Sequence, residues 1–163
     1  MSESYWDYIE DAYYTVSIYE TSDVYLSGIQ KYPSWFGDLL AVHWTLSEIS
    51  NGGLAQFFIN PTGILAPEAV LGFNHMNLLD GAEAVAEAMS IFGSEYPRDQ
   101  EDRTIRLAAL TGFTPENEDW NPFHPSLFES MEKKLYLLGG SDFGKIYDAM
   151  DSYAKINFKN SNH

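Results

Sequence analysis

The chain has 163 residues, enough for one domain with a sizeable core, and 45% of them are hydrophobic. Its 24 acidic residues against 9 Lys and Arg leave a formal charge of −15, a field that repels nucleic acid and anionic membranes and attracts basic partners. The absence of cysteine excludes disulfides, thiolate catalysis and Cys-based metal sites.

Residues 3–20 read as an amphipathic helix. At 3.6 residues per turn, Tyr5, Trp6, Tyr8, Ile9, Ala12, Tyr13, Val16 and Tyr19 share one broad face, opposite Glu3, Asp7, Glu10 and Asp11. The start of the chain has no basic or apolar leader, and no stretch approaches the roughly 18 apolar residues of a membrane span. The expected compartment is the cytoplasm. A short helix follows at 22–31, capped by Ser22 or Asp23 and ended by Lys31-Tyr32-Pro33.

Residues 34–50 are apolar nearly all round, which predicts a central helix. Asn51-Gly52-Gly53 stops it, and Leu54–Asn60 is a turn of helix or a strand. Helices are then expected at 66–77, opened by Pro67 and Glu68, and at 80–92. In the latter, Ala82, Val85, Ala86, Met89 and Phe92 face inward, Asp80, Glu83 and Glu87 face outward, and Gly93 is the stop. Further helices are expected at 99–111, 126–138 and 142–157. Between them, 114–125 reads as irregular, with three prolines and a cluster of Glu116, Glu118 and Asp119. The reading is all-α, a single domain over 1–163 with about eight helical segments and no confident strand.

Catalytic signals are sparse. His43, His75, His124 and His163 lack metal-site spacing, and there is no HExxH, GxSxG, P-loop or GxGxxG motif. No cofactor, metal or catalytic residue is expected. His43 lies in the central helix and reads as a hydrogen-bonded core or boundary histidine. His75 lies near a helix end, where a cation suits the dipole.

The one compact motif is Glu48, Asn51, Gly52, Gly53, Gln56, Phe57, Phe58 and Asn60. Read structurally it is a helix–turn–helix corner. Asn51 and Gly52 cap one helix, Gln56 and Asn60 tie exposed backbone groups, and Phe57 and Phe58 plug the core. Read functionally, Glu48, Asn51 and Gln56 make a small polar pocket. The run ExxNGGxxQFFxN resembles the signature of a bacterial family of unknown function whose best-known member is a DNA-mimic protein. The helix at 34–50 and those over 66–92 also resemble that family. The resemblance implies an all-helical fold. For the mimic it also implies an acidic surface, often presented by a dimer, that occupies the DNA-binding face of a transcription factor.

The acids themselves are arranged in rows. Carboxylates four residues apart on a helix stand about 6 Å apart along its axis. Glu3, Asp7 and Asp11 make one row, with Glu10 beside it. Asp80, Glu83 and Glu87 make a second, and Asp148 with Asp151 a third. Lys and Arg hardly interrupt them, apart from Lys145 and Lys155. These rows are the expected binding surface for a basic DNA-binding protein, with a basic toxin neutralised by an immunity protein as the alternative. A second alternative is an enzyme using the Glu48, Asn51 and Gln56 corner. Neither nucleic acid nor membrane is an expected partner. A homodimer is possible, because Tyr14 and Ile18 fall on the acidic side of the first helix and would expose apolar surface.

Overall fold

The computed structural model describes residues 3–112 and 127–162. Within them lie eight α-helices and one short 3-10 turn, with no strand. They are α1 Tyr5–Thr15, α2 Ser22–Ile29, α3 Ser34–Ile59, α4 Ala66–His75, α5 Leu79–Ser90, α6 Gln100–Thr111, α7 Glu129–Gly139 and α8 Gly144–Ser161. The 3-10 turn, Pro61–Leu65, joins α3 to α4. The all-α expectation holds. The acid cluster of Glu116, Glu118 and Asp119 falls outside the described residues, as does His124.

Three of the helices, α1, α2 and α6, begin at a side-chain cap. Ser4 and Asp7 form a capping box at α1: the Asp7 carboxylate accepts the Ser4 backbone N–H at 2.8 Å. Thr21, one residue before the expected Ser22, caps α2 by accepting from Val24. Asp99 caps α6, accepting from the Asp102 backbone at 2.9 Å, and Gly112 closes that helix in the left-handed region at φ 79°. Gly93, the expected stop after α5, has φ 109°.

α3 is the axle. Leu39, Leu40, Ala41, Val42, Leu46 and Ile49 are buried along it, and it touches α1, α2, α4, α6, α7 and α8. A helix flanked on so many sides is apolar all round, as its sequence is. α4 comes close enough that a Cβ on Gly72 would stand 2.7 Å from the Asp38 carbonyl oxygen, so only glycine fits there. Around the axle, adjacent helices run in the order α1, α8, α7, α5, α4.

Four local expectations are corrected. First, α1 ends at Thr15 rather than 20, because Val16 turns extended and is buried. Tyr19, assigned to the inner face by helical phase, therefore leaves that phase and is 76% exposed. For the same reason Ile18 is only 3% exposed, while Tyr14 on the helix proper is 75% exposed. Second, Ala86 is exposed and Ala84 and Ala88 are buried, because α5 is covered on two sides, by α4 and α7. Third, Asn51 and Gly52 lie within α3 rather than capping it. The break comes at Gly53, at φ 84° and ψ −178°, and α3 resumes through Leu54–Ile59. Fourth, Gln56 and Asn60 bind a side chain rather than backbone, as the geometry of the corner shows.

Candidate functional site

The corner is built around one carboxylate. Glu48 Oε2 accepts from Gln56 Nε2 at 2.7 Å and from Asn60 Nδ2 at 3.0 Å, and Oε1 accepts from Thr62 Oγ1 at 2.9 Å. The geometry follows from the kink. Gly53 interrupts the helix, and Gln56, Asn60 and Thr62 then come round to the Glu48 side chain. Because the kink frees the Leu54 N–H from its helical acceptor, another must supply one: Glu132 Oε1 of α7 accepts it at 2.7 Å. Burial pushes the Glu132 carboxyl up, while the bond from Leu54 pulls it down. A Cβ on Gly53 would sit 2.5 Å from that oxygen, so glycine is required there for space as well as for its positive φ.

Phe57 and Phe58 are fully buried, as expected of core plugs, and Phe58 packs against Phe92 and Phe128 at centroid distances of 5.0 and 5.2 Å. Beside them lies Arg103 of α6, whose importance sequence reasoning missed. It is 0% exposed, and its guanidinium donates to the carbonyls of Phe58 (2.6 Å), Asn60 (3.0 Å), Pro97 and Arg98. It thus serves the last carbonyls of α3, which an α-helix leaves without partners. Its spacing carried one clue, since Arg103 stands four residues before Leu107 on the buried stripe of α6.

Gln56, Asn60 and Thr62 are thus tied to one carboxylate, while Asn51 is exposed on α3 and takes no part in these bonds. The surface cavities beside Val16 and Gly28, beside Thr21 and Arg98, beside Ile29 and Leu71, and beside Tyr14 and Trp44 have other linings, without Glu48, Asn51 or Gln56.

The nine carboxylates of the expected surface fall into two groups. On α1 and α8, Asp7 and Asp151 meet at Ser4: Asp151 Oδ1 accepts the Tyr5 backbone N–H at 2.7 Å and Ser4 Oγ at 3.3 Å. A carboxylate from α8 thus sits on the positive end of the α1 dipole. Glu3 accepts the Tyr8 hydroxyl, whose pKa that bond pushes up to about 12, and Asp11 accepts the Tyr32 hydroxyl at 2.7 Å. Glu10 and Asp148 are exposed on the same pair of helices. The second group, Asp80, Glu83 and Glu87, is exposed on α5, with Lys134 of α7 at 3.5 Å from Glu83 and 3.6 Å from Glu87. Packing brings the α1 and α8 rows together, whereas α8 and α7 stand between α1 and α5.

The positive charges are distributed differently. The chain has three arginines, and each is engaged internally. Arg103 holds carbonyls, Arg98 pairs with both oxygens of Glu68 at 2.7 and 2.9 Å, and Arg106 pairs with Asp102 at 2.8 Å. These contacts keep the arginines from neutralising the rows on α1, α8 and α5.

His43 is a half-buried histidine whose polar partner is Tyr5. Its Nδ1 lies 2.8 Å from the Tyr5 hydroxyl, and the ring is enclosed by Trp6, Tyr13 and Trp44. Burial lowers its pKa from 6.5 to about 4. The unfolded chain therefore takes up a proton below about pH 6.5 that the native ring refuses until about pH 4. Native stability should fall as pH drops through that window and be unaffected by this residue above it, with about 2–3 kcal/mol at stake by pH 4.5. Urea denaturation at pH 7 and 4.5 checks this. A His43→Phe variant should lose correspondingly less between the two, and equal losses would show that His43 is not the source. His75 ends α4 as expected, with Nδ1 2.9 Å from Asp38 Oδ2, which also accepts the Tyr153 hydroxyl at 2.6 Å. Among the described residues no cluster of three or more His, Asp or Glu could hold a metal ion, and no helix is long and apolar enough to cross a membrane.

Fold and surface together define a class: an all-α domain on a kinked central helix, with carboxylate rows on its outer helices. The chain belongs to the DMP19-like protein family, the DNA-mimic family, whose model matches residues 30–157. Neither a comparison with curated proteins nor one with solved structures found a match.

Proposed function

We propose that this protein is a DNA mimic that binds a basic DNA-binding protein, such as a transcription factor, on the surface that protein uses for DNA. The observation that carries this reading is the joining of the α1 and α8 carboxylates around Ser4 while every arginine is held in internal contacts. A mimic must offer negative charge at a density approaching that of duplex DNA, about one charge per 1.7 Å of axis. Carboxylates from two packed helices approach that density better than a single row about 6 Å apart. Family membership supports the same reading. The protein acts by binding rather than by catalysis, in keeping with a corner carboxylate, Glu48, that is engaged by three donors of its own chain.

Displacement of a labelled duplex from purified DNA-binding proteins of the same cell tests the proposal. The protein is expected to displace DNA, with affinity falling at least about tenfold between roughly 50 and 200 mM salt. Glu10→Gln, Asp80→Asn and Asp148→Asn together should weaken displacement by about tenfold or more while leaving the fold intact, because the capping and tethering acids Asp7, Asp11 and Asp151 are untouched. Failure to displace DNA at low salt would overturn the reading.

A further inference from the structure

The connection between α1 and α2 carries a feature that the acidic rows do not explain. A cavity of about 320 Å³ is lined there by Tyr13, Tyr14, Ser17, Ile18, Tyr19 and Trp44. Tyr13 is stacked on Trp44, with centroids 4.9 Å apart and planes 16° apart, and both rings line the cavity as its aromatic floor. Tyr14 stands edge-on to Tyr13 at 5.1 Å and 90°, making a wall. Tyr14 and Tyr19 are each about three-quarters exposed, a large aromatic surface to leave in water.

Carboxylates flank these rings. Glu10, exposed, precedes Tyr13 and Tyr14 by three and four residues, which puts it beside them on α1. Glu20, exposed, follows Tyr19 directly. A second cavity of about 500 Å³ shares Thr15, Val16 and Ser17 with the first and is lined also by Glu20 and Asp23. Lys31, at its edge, is the cation among these residues.

We propose that the aromatic cleft at Tyr13, Tyr14, Tyr19 and Trp44 receives an arginine side chain of a basic protein partner, its guanidinium stacked on the rings and paired with Glu10 or Glu20. The inference rests on the binding-protein reading above and adds an anchor to it. The chemistry selects this occupant. A guanidinium is planar and weakly hydrated, so it stacks on aromatic faces and still donates to carboxylates. A lysine ammonium is a strongly hydrated point charge and gains less from a flat floor. A nucleic-acid base would also stack, but its phosphates would meet a chain of charge −15. An apolar side chain would gain nothing from the flanking carboxylates, which are exposed to water. Apart from Trp44 of α3, the cleft is made by the end of α1 and the segment that follows it, which precede the matched stretch 30–157.

The test compares acetylated tetra-arginine with tetra-lysine, peptides of equal charge, by tryptophan fluorescence and calorimetry on the full chain. The arginine peptide should bind about three- to tenfold more tightly. Tyr14→Ala with Tyr19→Ala should abolish that preference and leave the lysine affinity unchanged, whereas Tyr14→Phe with Tyr19→Phe should keep it. Because both rings are exposed, circular dichroism and melting of these variants should match the parent. Equal affinity for the two peptides overturns the cleft and leaves the acidic surface standing, since DNA displacement judges that reading separately. An arginine preference that survives the alanine pair, or no binding of either peptide, also overturns it.

Discussion

Replacing Arg103 with alanine is expected to cost about 4 kcal/mol of folding stability. The guanidinium is fully buried and donates to four carbonyls on two segments, the end of α3 (Phe58, Asn60) and the stretch before α6 (Pro97, Arg98). Burial lowers its pKa, but from 12.5, so it stays charged. Alanine would leave buried acceptors without donors and a cavity the size of an arginine side chain. Arg103→Lys should recover less than half of the loss, because one ammonium cannot reach acceptors spread around a planar fork. Urea midpoints of the three proteins decide the matter, and a loss below about 1 kcal/mol for alanine would refute the account.

Glu48→Ala is expected to cost about 3 kcal/mol, and Glu48→Gln only about 1 kcal/mol. The difference follows from which oxygen serves which donor. Oε2 accepts two amide N–H groups, from Gln56 and Asn60, which can only donate at those atoms. Oε1 accepts from the Thr62 hydroxyl, which can turn and accept instead. A glutamine at this position can therefore direct its carbonyl to the two amides and its NH₂ to Thr62, losing mainly the added strength of a charged acceptor. Alanine leaves two half-buried amides and the buried Thr62 hydroxyl without this acceptor. Urea denaturation of the two variants beside the parent measures the difference. If both lost the same stability, the carboxylate's charge rather than its acceptor pattern would be what matters. Displacement of DNA should be unaffected by Glu48→Gln at a temperature where it is folded, because Glu48 belongs to the corner and not to the outer rows.

Much of this was legible in the residues. The mostly apolar run from Trp35 to Ile49 marked the central helix, since a segment packed against many neighbours has little polar face to show. The Asn51–Gly53 triplet marked a break, though which residue breaks could not be read, because all three tolerate positive φ. Asp7 shows the limit of charge patterning. Its place in a row suggested a surface for partners, yet it also caps α1. Asp151 and Asp11 have similar structural partners in Ser4, Tyr5 and Tyr32, from distant parts of the chain. Helical phase alone could not predict where α1 ends, and so it misplaced Ile18 and Tyr19. Arg103 lies in a helix opening Gln-Glu-Asp, and a charge there carries no local mark of burial.

The sequence by itself determined the all-helical class, the acid excess and its rows, the buried phenylalanines and the family signature. These follow from composition and from periods of a few residues, which short-range geometry dictates. Only the tertiary structure decided which carboxylates meet, that Glu48 gathers Gln56, Asn60 and Thr62, that Glu132 answers the broken bond at Leu54, and that Arg103 turns inward while Arg98 pairs with Glu68. Those pairings join positions as much as 147 residues apart, and distance along the chain carries no record of them until packing brings the partners together.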